Sequence, residues 1–240
     1  MTFIAPQSSH KELLSLLPPA EMERLRPHLV RVRLVNGQIL HEAGERIGQV
    51  FFVQQGFVSM VTEVDGDDKV TEVGLIGRES MVGLPVLLGP GAASFNRAMV
   101  QSPGDALRLP AQMLHDNAGH LPMLRRLLSQ AMEVFMAQVA QTAACNSQHS
   151  LVQRLARWLL MAHDRVDGDE LTATQEFLSI MLAVRRSGVT VASQALVITG
   201  AIRVGRGRMT VCDRLPLEAA ACGCYGRVKA FTEGVAARNT

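Results

Sequence analysis

The 240-residue sequence predicts an α+β protein with an N-terminal β-sheet domain, one long helix and a C-terminal domain of short helices with a β-hairpin. Three observations carry this prediction. Residues 30–109 form short apolar segments separated by glycines, which is typical of an all-β sandwich or barrel. Residues 121–142 have apolar side chains at helical spacing over many turns. Residues 172–213 read as two helices, a tight turn between them, and a glycine-rich basic hairpin.

Charge is distributed unevenly between the two halves. Residues 1–150 contain 12 basic and 14 acidic side chains, whereas residues 151–240 contain 12 basic and 8 acidic ones. A surface for an anionic partner is therefore expected in the C-terminal part. No segment approaches the roughly 18 apolar residues of a membrane helix, and the N-terminus does not resemble a signal peptide. We therefore expect a soluble cytoplasmic protein with no membrane partner.

The β region is expected to have a helical lid and a clear hairpin. Short helices broken at Pro18-Pro19 place apolar side chains for packing, and Asp65–Asp68 is the most distinct hairpin tip. The predicted packing positions of the lid are Leu13, Leu14, Leu17, Met22 and Leu25.

The long helix carries a broad apolar stripe. Its near-heptad positions, which we call the apolar seam, are Leu121, Leu124, Leu128, Ala131, Phe135 and Thr142, broadened by Met132, Met136 and Val139. Such a stripe either packs within its own subunit or pairs with a second copy, and we favour a homodimer. A hinge is predicted at Cys145–Ser147.

The first of the two C-terminal helices is short. Thr174 is a plausible N-cap, and the following residues are amphipathic, with Phe177, Ile180 and Met181 or Leu182 predicted to face inward. Ala183 and Val184 form the predicted turn, where a small side chain allows close approach of the helices. A supporting helix is predicted from about residue 151, with Trp158 among its apolar positions.

The second helix is predicted to begin near Arg186, with an apolar inner face at Val189, Ala192, Leu196 and Val197. Arginine pairs with guanine or phosphate, glutamine with adenine, and threonine with thymine or phosphate, so this outer face suits the major groove of DNA. The predicted outward residues are Arg185, Arg186, Ser187, Thr190 and Gln194.

The hairpin after this helix completes a winged helix-turn-helix. Gly200 is a candidate C-cap, and strands at 201–204 and 208–211 flank Gly205-Arg206-Gly207. From Arg185 to Arg214 there are six arginines and one acid, Asp213. Arg206 and Arg208 are therefore predicted to contact phosphates of double-stranded DNA, with a solvated basic hairpin as the alternative.

Chemical motifs for other functions are weak. Cys222-Gly223-Cys224 lies near Cys212 in sequence, but a single CxC lacks the paired spacing of a zinc module, and no metal ligand is assigned. His41, His115, His120 and His149 are isolated, so no haem or other cofactor is assigned. The sequence has no recognisable hydrolase, zincin or P-loop motif and is not expected to be an enzyme.

The order of these parts resembles the Crp/Fnr family of bacterial transcription regulators. The most specific segments are Ala43–Glu45, Val53–Gly56, Thr174–Thr190 and the hairpin Ile202–Asp213. The resemblance implies a jelly-roll, cyclic-nucleotide-binding-like sensor at 1–118, a dimerisation helix and hinge at 119–146, and the winged helix-turn-helix at 147–240. It also implies a homodimer on a pseudo-palindromic operator, with RNA polymerase as a partner. Members commonly have an acid where Ser187 stands, so a different base preference is expected.

The sensor half departs from the cyclic-AMP-binding members of the family. Those members use a glutamate for the ribose and an arginine for the phosphate, where this sequence has Gly83-Leu84-Pro85 and Asn96-Arg97-Ala98. Helix hydroxyls that meet the purine match Val139 and Ala140, which offer no side-chain hydrogen bond. The expected effector pocket, which does not favour cyclic AMP, contains Gly83, Leu84, Pro85, Asn96, Arg97 and Val139. The iron–sulfur cluster of other members needs N-terminal cysteines, and none precedes Cys145.

The function expected from these observations is sequence-specific DNA binding with an unknown effector. The alternative is a signal-binding or protein-interaction module whose helix-turn-helix does not bind DNA.

Overall fold

The computed structural model describes residues 12–64 and 70–239, which fall into two compact units. The first contains residues 12–62 and 76–136, and the second contains residues 63–64, 70–75 and 137–239. The hairpin tip predicted at Asp65–Asp68 lies outside the described residues. The domain boundaries at 118/119 and 146/147 remain predictions.

Among the described residues, eight strands form two four-stranded sheets, ordered β1-β8-β3-β6 and β2-β7-β4-β5. The pairing is antiparallel, with Val32 opposite Ala106 and Phe51 opposite Arg108. This confirms the predicted β-sandwich of the jelly-roll class. The strands are β1 Val30–Leu34, β2 Ile39–His41, β3 Gln49–Val53, β4 Phe57–Glu63, β5 Val70–Ile76, β6 Met81–Val82, β7 Arg97–Ser102 and β8 Gly104–Pro110.

Glycine is required at one turn of the sandwich. Gly56 has φ +77°, and a Cβ there would lie 2.3 Å from the carbonyl oxygen of Ser102. No L side chain fits this approach, so the turn between β3 and β4 requires a glycine.

Helices cover the core of the first unit. They are α1 Pro19–Leu25, α2 Ala111–Asp116 and the long helix α3 Pro122–Gln148, with 3-10 turns at Leu13–Leu16, Arg26–His28, Leu84–Leu88 and Ala118–His120. Leu13, Leu14 and Leu25 are buried, as predicted for the lid, and join the core around Phe52 and Leu109. Leu17 and Met22 are half-buried.

The apolar seam of α3 changes character along the helix. Leu121, Leu124 and Leu128 are fully buried in the core of the first unit. Ala131, Met132 and Phe135 pack on the same core but are only partly buried, and Met136 is 64 % exposed. The first part of the seam therefore packs within its own subunit, and the later part is left incompletely covered.

The second unit contains the C-terminal helices and a small sheet. The sheet is antiparallel in the order β10-β11-β9. Its elements after α3 are α4 Leu151–His163, β9 Glu170–Thr172, α5 Gln175–Met181, α6 Arg186–Ile198, β10 Ile202–Gly205, β11 Arg208–Val211, α7 Arg214–Ala220 and α8 Cys224–Ala236, followed by a 3-10 turn at Ala237–Asn239.

The break between α3 and α4 lies later than the sequence predicted. Residues Cys145–Ser147 are still helical, because α3 continues to Gln148. A capping box starts α4: the Ser150 hydroxyl accepts from the Gln153 backbone N–H, and the Gln153 side chain accepts from the Ser150 N–H. The break between the helices is therefore at His149-Ser150, not at Cys145–Ser147. In the described part of the chain, no helix is long and apolar enough to cross a membrane.

Candidate nucleic-acid interface

Helix α5 begins at the predicted cap and ends in a strained turn. The Thr174 hydroxyl accepts a 3.0 Å hydrogen bond from the Phe177 N–H. Its buried face is Leu178, Met181 and Leu182, whereas Ile180 is 39 % exposed, so the prediction that Ile180 faces inward was wrong. At 3.6 residues per turn, Ile180 lies about 200° round the helix from Leu178.

Ala183 explains how the chain turns between α5 and α6. Its φ is +51°, in the left-handed region, and among the described non-glycine residues it alone has a positive φ. The Val184 N–H donates to the Ser179 carbonyl over 2.9 Å and closes the turn. A small side chain is favoured here because bulk on the Cβ raises the cost of this conformation.

Helix α6 buries one face and leaves a polar face in solvent. Val189, Ala192 and Leu196 are buried as predicted, and Ser193 joins them at 1 % exposure. Val197 was also predicted to face inward, but it is 36 % exposed, because it lies about 80° round from Val189 at the edge of the stripe. Arg185, Arg186, Ser187 and Gln194 are exposed, with the first three at the N-terminal end.

Thr190 differs from its neighbours on this face. Its hydroxyl lies 3.1 Å from Gln175 Oε1 and 3.2 Å from the Arg186 carbonyl oxygen. The single hydroxyl proton is thus directed to protein acceptors, and the contact with Gln175 links α5 to α6. This leaves the Thr190 methyl group as the part best suited to meet a base.

Helix α6 ends as the sequence indicated. Gly200 has φ +74°, its N–H donates to the Val197 carbonyl, and the Ala201 N–H donates to the Leu196 carbonyl. These two bonds form a Schellman motif, which fixes the direction in which the chain enters the hairpin.

The hairpin, which we call the wing, has a two-residue loop. Gly205 pairs with Arg208, so Arg206 and Gly207 form the tip, rather than the three residues predicted. Arg206 is exposed there, and Gly207 has φ +74°. Strand β9, which the sequence did not predict, places Glu170 beside Arg208, with 2.9 Å between Oε1 and Nη1. Both side chains are more than half exposed, so this pair is weak and solvent-screened.

Helix α4 supports the helix-turn-helix from behind. The Trp158 ring lies 5.9 Å from that of Phe177, and its Nε1 donates to Glu72 Oε1 over 2.8 Å. The Arg154 guanidinium donates to the Leu182 carbonyl at the end of α5, and burial lowers its pKa. Because Arg154 satisfies a helix-end carbonyl, it stabilises the turn that positions α6.

A buried polar network attaches α7 and α8 to α4. Arg214 donates to Asp164 over 2.7 Å and to the Tyr225 hydroxyl, and that hydroxyl lies 2.9 Å from the second oxygen of Asp164. Burial, followed by the negative charge of Asp164, raises the pKa of Tyr225. The phenol therefore stays protonated and holds the carboxylate in place.

Two of the predicted effector residues in the first unit, Gly83 and Leu84, are packed closely against neighbouring side chains. Leu84 is 2 % exposed and belongs to the hydrophobic core, while Pro85 and Asn96 are half-buried. Gly83 has φ +102°, and a Cβ there would lie 2.9 Å from Val50 Cγ1. Arg97 Nε lies 2.6 Å from Glu42 Oε2, so its charge already has an acidic neighbour. Val139, the sixth predicted residue, is half-buried on α3 in the second unit.

The cysteines are arranged differently from what the sequence suggested. Cys145, Cys222 and Cys224 converge with His149 in the second unit, whereas Cys212 is exposed. Burial, and then the hydrogen bond with Cys222, raises the pKa of the Cys145 thiol to about 12. The CxC pattern was the available signal, but Cys145 and His149 lie more than 70 residues away along the chain.

A sandwich of two four-stranded sheets, a long helix and a winged helix-turn-helix together define a two-domain regulator class. A family model described as a cyclic nucleotide-binding domain matches residues 31–117, and one described as a Crp-like helix-turn-helix domain matches residues 153–220. The chain therefore belongs to the Crp/Fnr family of transcription regulators.

Solved structures share this fold at low sequence identity. A Crp/Fnr-family regulator from Eubacterium rectale is 17% identical, with a TM-score of 0.65, over 88% of this chain and 97% of that one. FixK2 from Bradyrhizobium japonicum is 14% identical, with a TM-score of 0.67, over 81% of this chain and 98% of that one. The c-di-GMP-responsive regulator CLP from Xanthomonas campestris is 16% identical, with a TM-score of 0.64, over 82% of this chain and 100% of that one. No curated protein sequence matches this chain significantly.

Proposed function

We propose that this protein is a sequence-specific regulator of transcription that binds double-stranded DNA as a homodimer. The observation that carries the proposal is the exposed N-terminal end of α6. Arg185, Arg186 and Ser187 lie there in solvent, while the opposite face of the helix is anchored by Val189 and Leu196. A helix held rigidly behind with free donors at its N-terminal end suits insertion into the major groove.

Each exposed residue has a proposed role. Arg185 and Arg186 contact bases and phosphates at the start of α6, with Ser187 and Gln194 reading bases nearby. Thr190 contributes its methyl group, because its hydroxyl is engaged with Gln175 or the Arg186 carbonyl. The helix N-terminus adds a partial positive charge that favours phosphate.

The wing is proposed to hold the flanking phosphate backbone. Arg206 sits at its tip and is exposed, so it is available to a phosphate without breaking a contact shown for it. Arg208 shares its charge with Glu170 and is expected to contribute less. These contacts add affinity without sequence information.

Dimerisation is proposed through α3. The part of the apolar seam that its own core covers incompletely includes Phe135, Met136 and Val139. A two-fold axis along this part of α3 would bury them and pair two recognition helices, as half-sites about 34 Å apart require. An effector that shifts α3 would then change the spacing of the two helices, and RNA polymerase binding belongs to the same proposal.

The effector is proposed to differ from cyclic AMP. Leu84 is buried where cyclic-AMP-binding members of the family present glutamate, and Arg97 faces Glu42. Neither residue offers a ribose or a cyclic phosphate the contacts expected in those members.

Selection of bound sequences from a random duplex library by the ligand-free protein tests the proposal. We expect enrichment of a two-fold symmetric motif. If no motif emerges, the selection is repeated with cell extract to supply a signal. Failure in both conditions would favour a signal-binding or protein-interaction module whose helix-turn-helix does not bind DNA.

A further inference from the structure

Four soft or borderline metal-ligating side chains meet beside the joint between α3 and α4. Cys145 lies in the last turn of α3, His149 follows that helix, and Cys222 and Cys224 flank the start of α8. Their three Sγ atoms and one imidazole nitrogen all lie within 4.8 Å of one another. The cysteines are at most 6 % exposed, and His149 is half-buried.

We propose that Cys145, His149, Cys222 and Cys224 bind one Zn²⁺ ion in a tetrahedral Cys₃His site. Zinc–sulfur bonds of about 2.3 Å place two sulfurs of a tetrahedron about 3.8 Å apart. Here Cys145 Sγ lies 3.4 Å from Cys222 Sγ, and Cys224 Sγ lies 3.6 Å from His149 Nδ1. No donor pair is more than about 1 Å wider than a tetrahedral site requires, so small side-chain movements would let all four surround an ion. Four protein ligands make a closed site, which is structural rather than catalytic.

The spacing of the donors favours one ion over an iron–sulfur cluster. Two ligands of a single zinc ion can be separated by at most about twice the metal–ligand distance, or about 4.6 Å. The four donor atoms all lie within 4.8 Å of one another, slightly beyond this limit, so a small side-chain movement would bring them onto one ion. An iron–sulfur cluster distributes its ligands over two or more irons, so ligands on different irons stand further apart.

Neighbouring side chains suit a charged metal centre. Gln141 Nε2 donates to Cys224 Sγ over 3.0 Å, a contact that would orient the thiolate. Arg157 is 5 % exposed, and its positive charge acts on Cys145. Three thiolates on Zn²⁺ carry a net charge of −1, which Arg157 would balance. Its Nη2 donates to Thr142, but within the described residues its buried Nε has no hydrogen-bond partner.

The site would join the end of α3 to the start of α8. A bound ion would fix the direction in which α3 leads into α4, the helix that supports the helix-turn-helix. Because the ligands come from two segments that are more than 70 residues apart in the chain, metal binding is coupled to the folded arrangement. This consequence for DNA binding rests on the proposed function, whereas the metal site itself does not.

Metal titration of the full-length protein tests the proposal without DNA. The protein is reduced, stripped with a chelator and titrated with Co²⁺, whose thiolate charge-transfer and tetrahedral d–d absorption report the ligand set. Zn²⁺ is then added as competitor, and bound zinc is measured by elemental analysis. We expect one ion per chain and loss of the cobalt spectrum on adding zinc.

Variants at proposed ligands, compared with a variant of the exposed Cys212, test which residues hold the ion. Cys222→Ser and His149→Ala each remove a proposed ligand and should lower zinc affinity by more than about 100-fold. Gln141→Ala removes only a hydrogen bond to a ligand and should lower it by about 10-fold. Cys212→Ser removes an exposed cysteine outside the cluster and should leave one ion bound. Circular dichroism of the metal-free variants shows whether each is folded. His149 is only half-buried, so its variant is the least disruptive of the ligand variants.

Several outcomes would overturn the proposal. Equal zinc affinity in Cys212→Ser and in folded His149→Ala would show that the bound ion lies elsewhere. A reduced protein that takes up neither cobalt nor zinc, and forms a Cys145–Cys222 disulfide on oxidation, would identify a thiol pair instead. Iron and acid-labile sulfide in the purified protein would show that the site holds an iron–sulfur cluster instead of zinc. A protein that selects a symmetric DNA motif but binds no metal would contradict the metal site alone. A protein that binds the metal but selects no motif would contradict the proposed function alone.

Discussion

Helix α6 and the segment from Gly83 to Arg97 use their side chains in opposite ways. On α6, Arg185, Arg186 and Ser187 point to solvent, and the apolar face is buried behind them. In the other segment Leu84 has joined the core, and Arg97 is paired with Glu42. The first region presents polar side chains to solvent, whereas Leu84 and Arg97 in the second are engaged with other parts of the protein. The comparison shows that both regions keep the family fold, whereas the side chains of the segment from Gly83 to Arg97 differ more from those of cyclic-AMP-binding members than the side chains of α6 differ from the family pattern.

The largest effect is expected from returning a carboxylate to the buried segment. Leu84→Glu should lower the free energy of unfolding by about 3 to 5 kcal/mol, because the new charge is buried without a partner. Leu88→Glu, in the same 3-10 turn but 83 % exposed, is the control and should change it by less than about 0.5 kcal/mol. Denaturant unfolding measures both. A stable Leu84→Glu variant that bound cyclic AMP would show that this segment remains a ligand site.

The next effect concerns the exposed end of α6. Arg186→Ala should weaken binding to the selected operator by about 1 to 3 kcal/mol and relax specificity at one base pair. Arg206→Ala should weaken binding to operator and random duplex alike and reduce the salt slope by about 1. Fluorescence anisotropy at several salt concentrations measures both. Arg227→Ala, an exposed arginine on α8, is the charge-matched control and should have little effect. Equal losses on both DNAs for Arg186→Ala and Arg206→Ala would refute the division of roles.

Thr190 and Gln194 allow a test of which polar side chains on α6 are available to bind DNA. Thr190→Val keeps the shape and the methyl group but removes the hydroxyl that meets Gln175, so it should cost about 1 kcal/mol of stability. Gln194→Ala removes an exposed amide, so it should leave stability within about 0.5 kcal/mol and weaken operator binding instead. Thermal unfolding and anisotropy distinguish the two. The opposite pattern would mean that the Thr190 hydroxyl reads DNA directly.

The smallest effect is expected from pH acting on His41 beside the buried segment. Its Nε2 lies 2.7 Å from the Gln49 carbonyl oxygen, its Nδ1 is buried, and burial lowers its pKa from 6.5. The unfolded chain therefore takes up a proton more readily. As pH falls below about 6.5, the free energy of unfolding should decrease until the folded pKa is passed. His41→Gln should flatten this decrease, and His28→Gln, at an exposed position, should not. Identical pH profiles for wild type and His41→Gln would exclude this contribution.

The sequence by itself determined the features that depend on local interactions. The Thr174 cap, the start of α6 at Arg186, the left-handed Gly200 and the short strands of the sandwich each follow from residues adjacent in the chain. Capping, helical periodicity and turn chemistry act over a few residues, so they can be predicted from the sequence before the tertiary structure is known.

Only the tertiary structure decided what depends on distant partners. Ile180 and Val197 are apolar yet exposed, because the neighbours of a helix set how wide its buried stripe is. Glu170 reaches Arg208 only after β9 joins the sheet, and Leu84 becomes core only when the sandwich closes around it. Cys145, His149, Cys222 and Cys224 are separated in sequence, and their convergence is a result of folding. A linear pattern specifies which groups are present, but packing decides which of them meet.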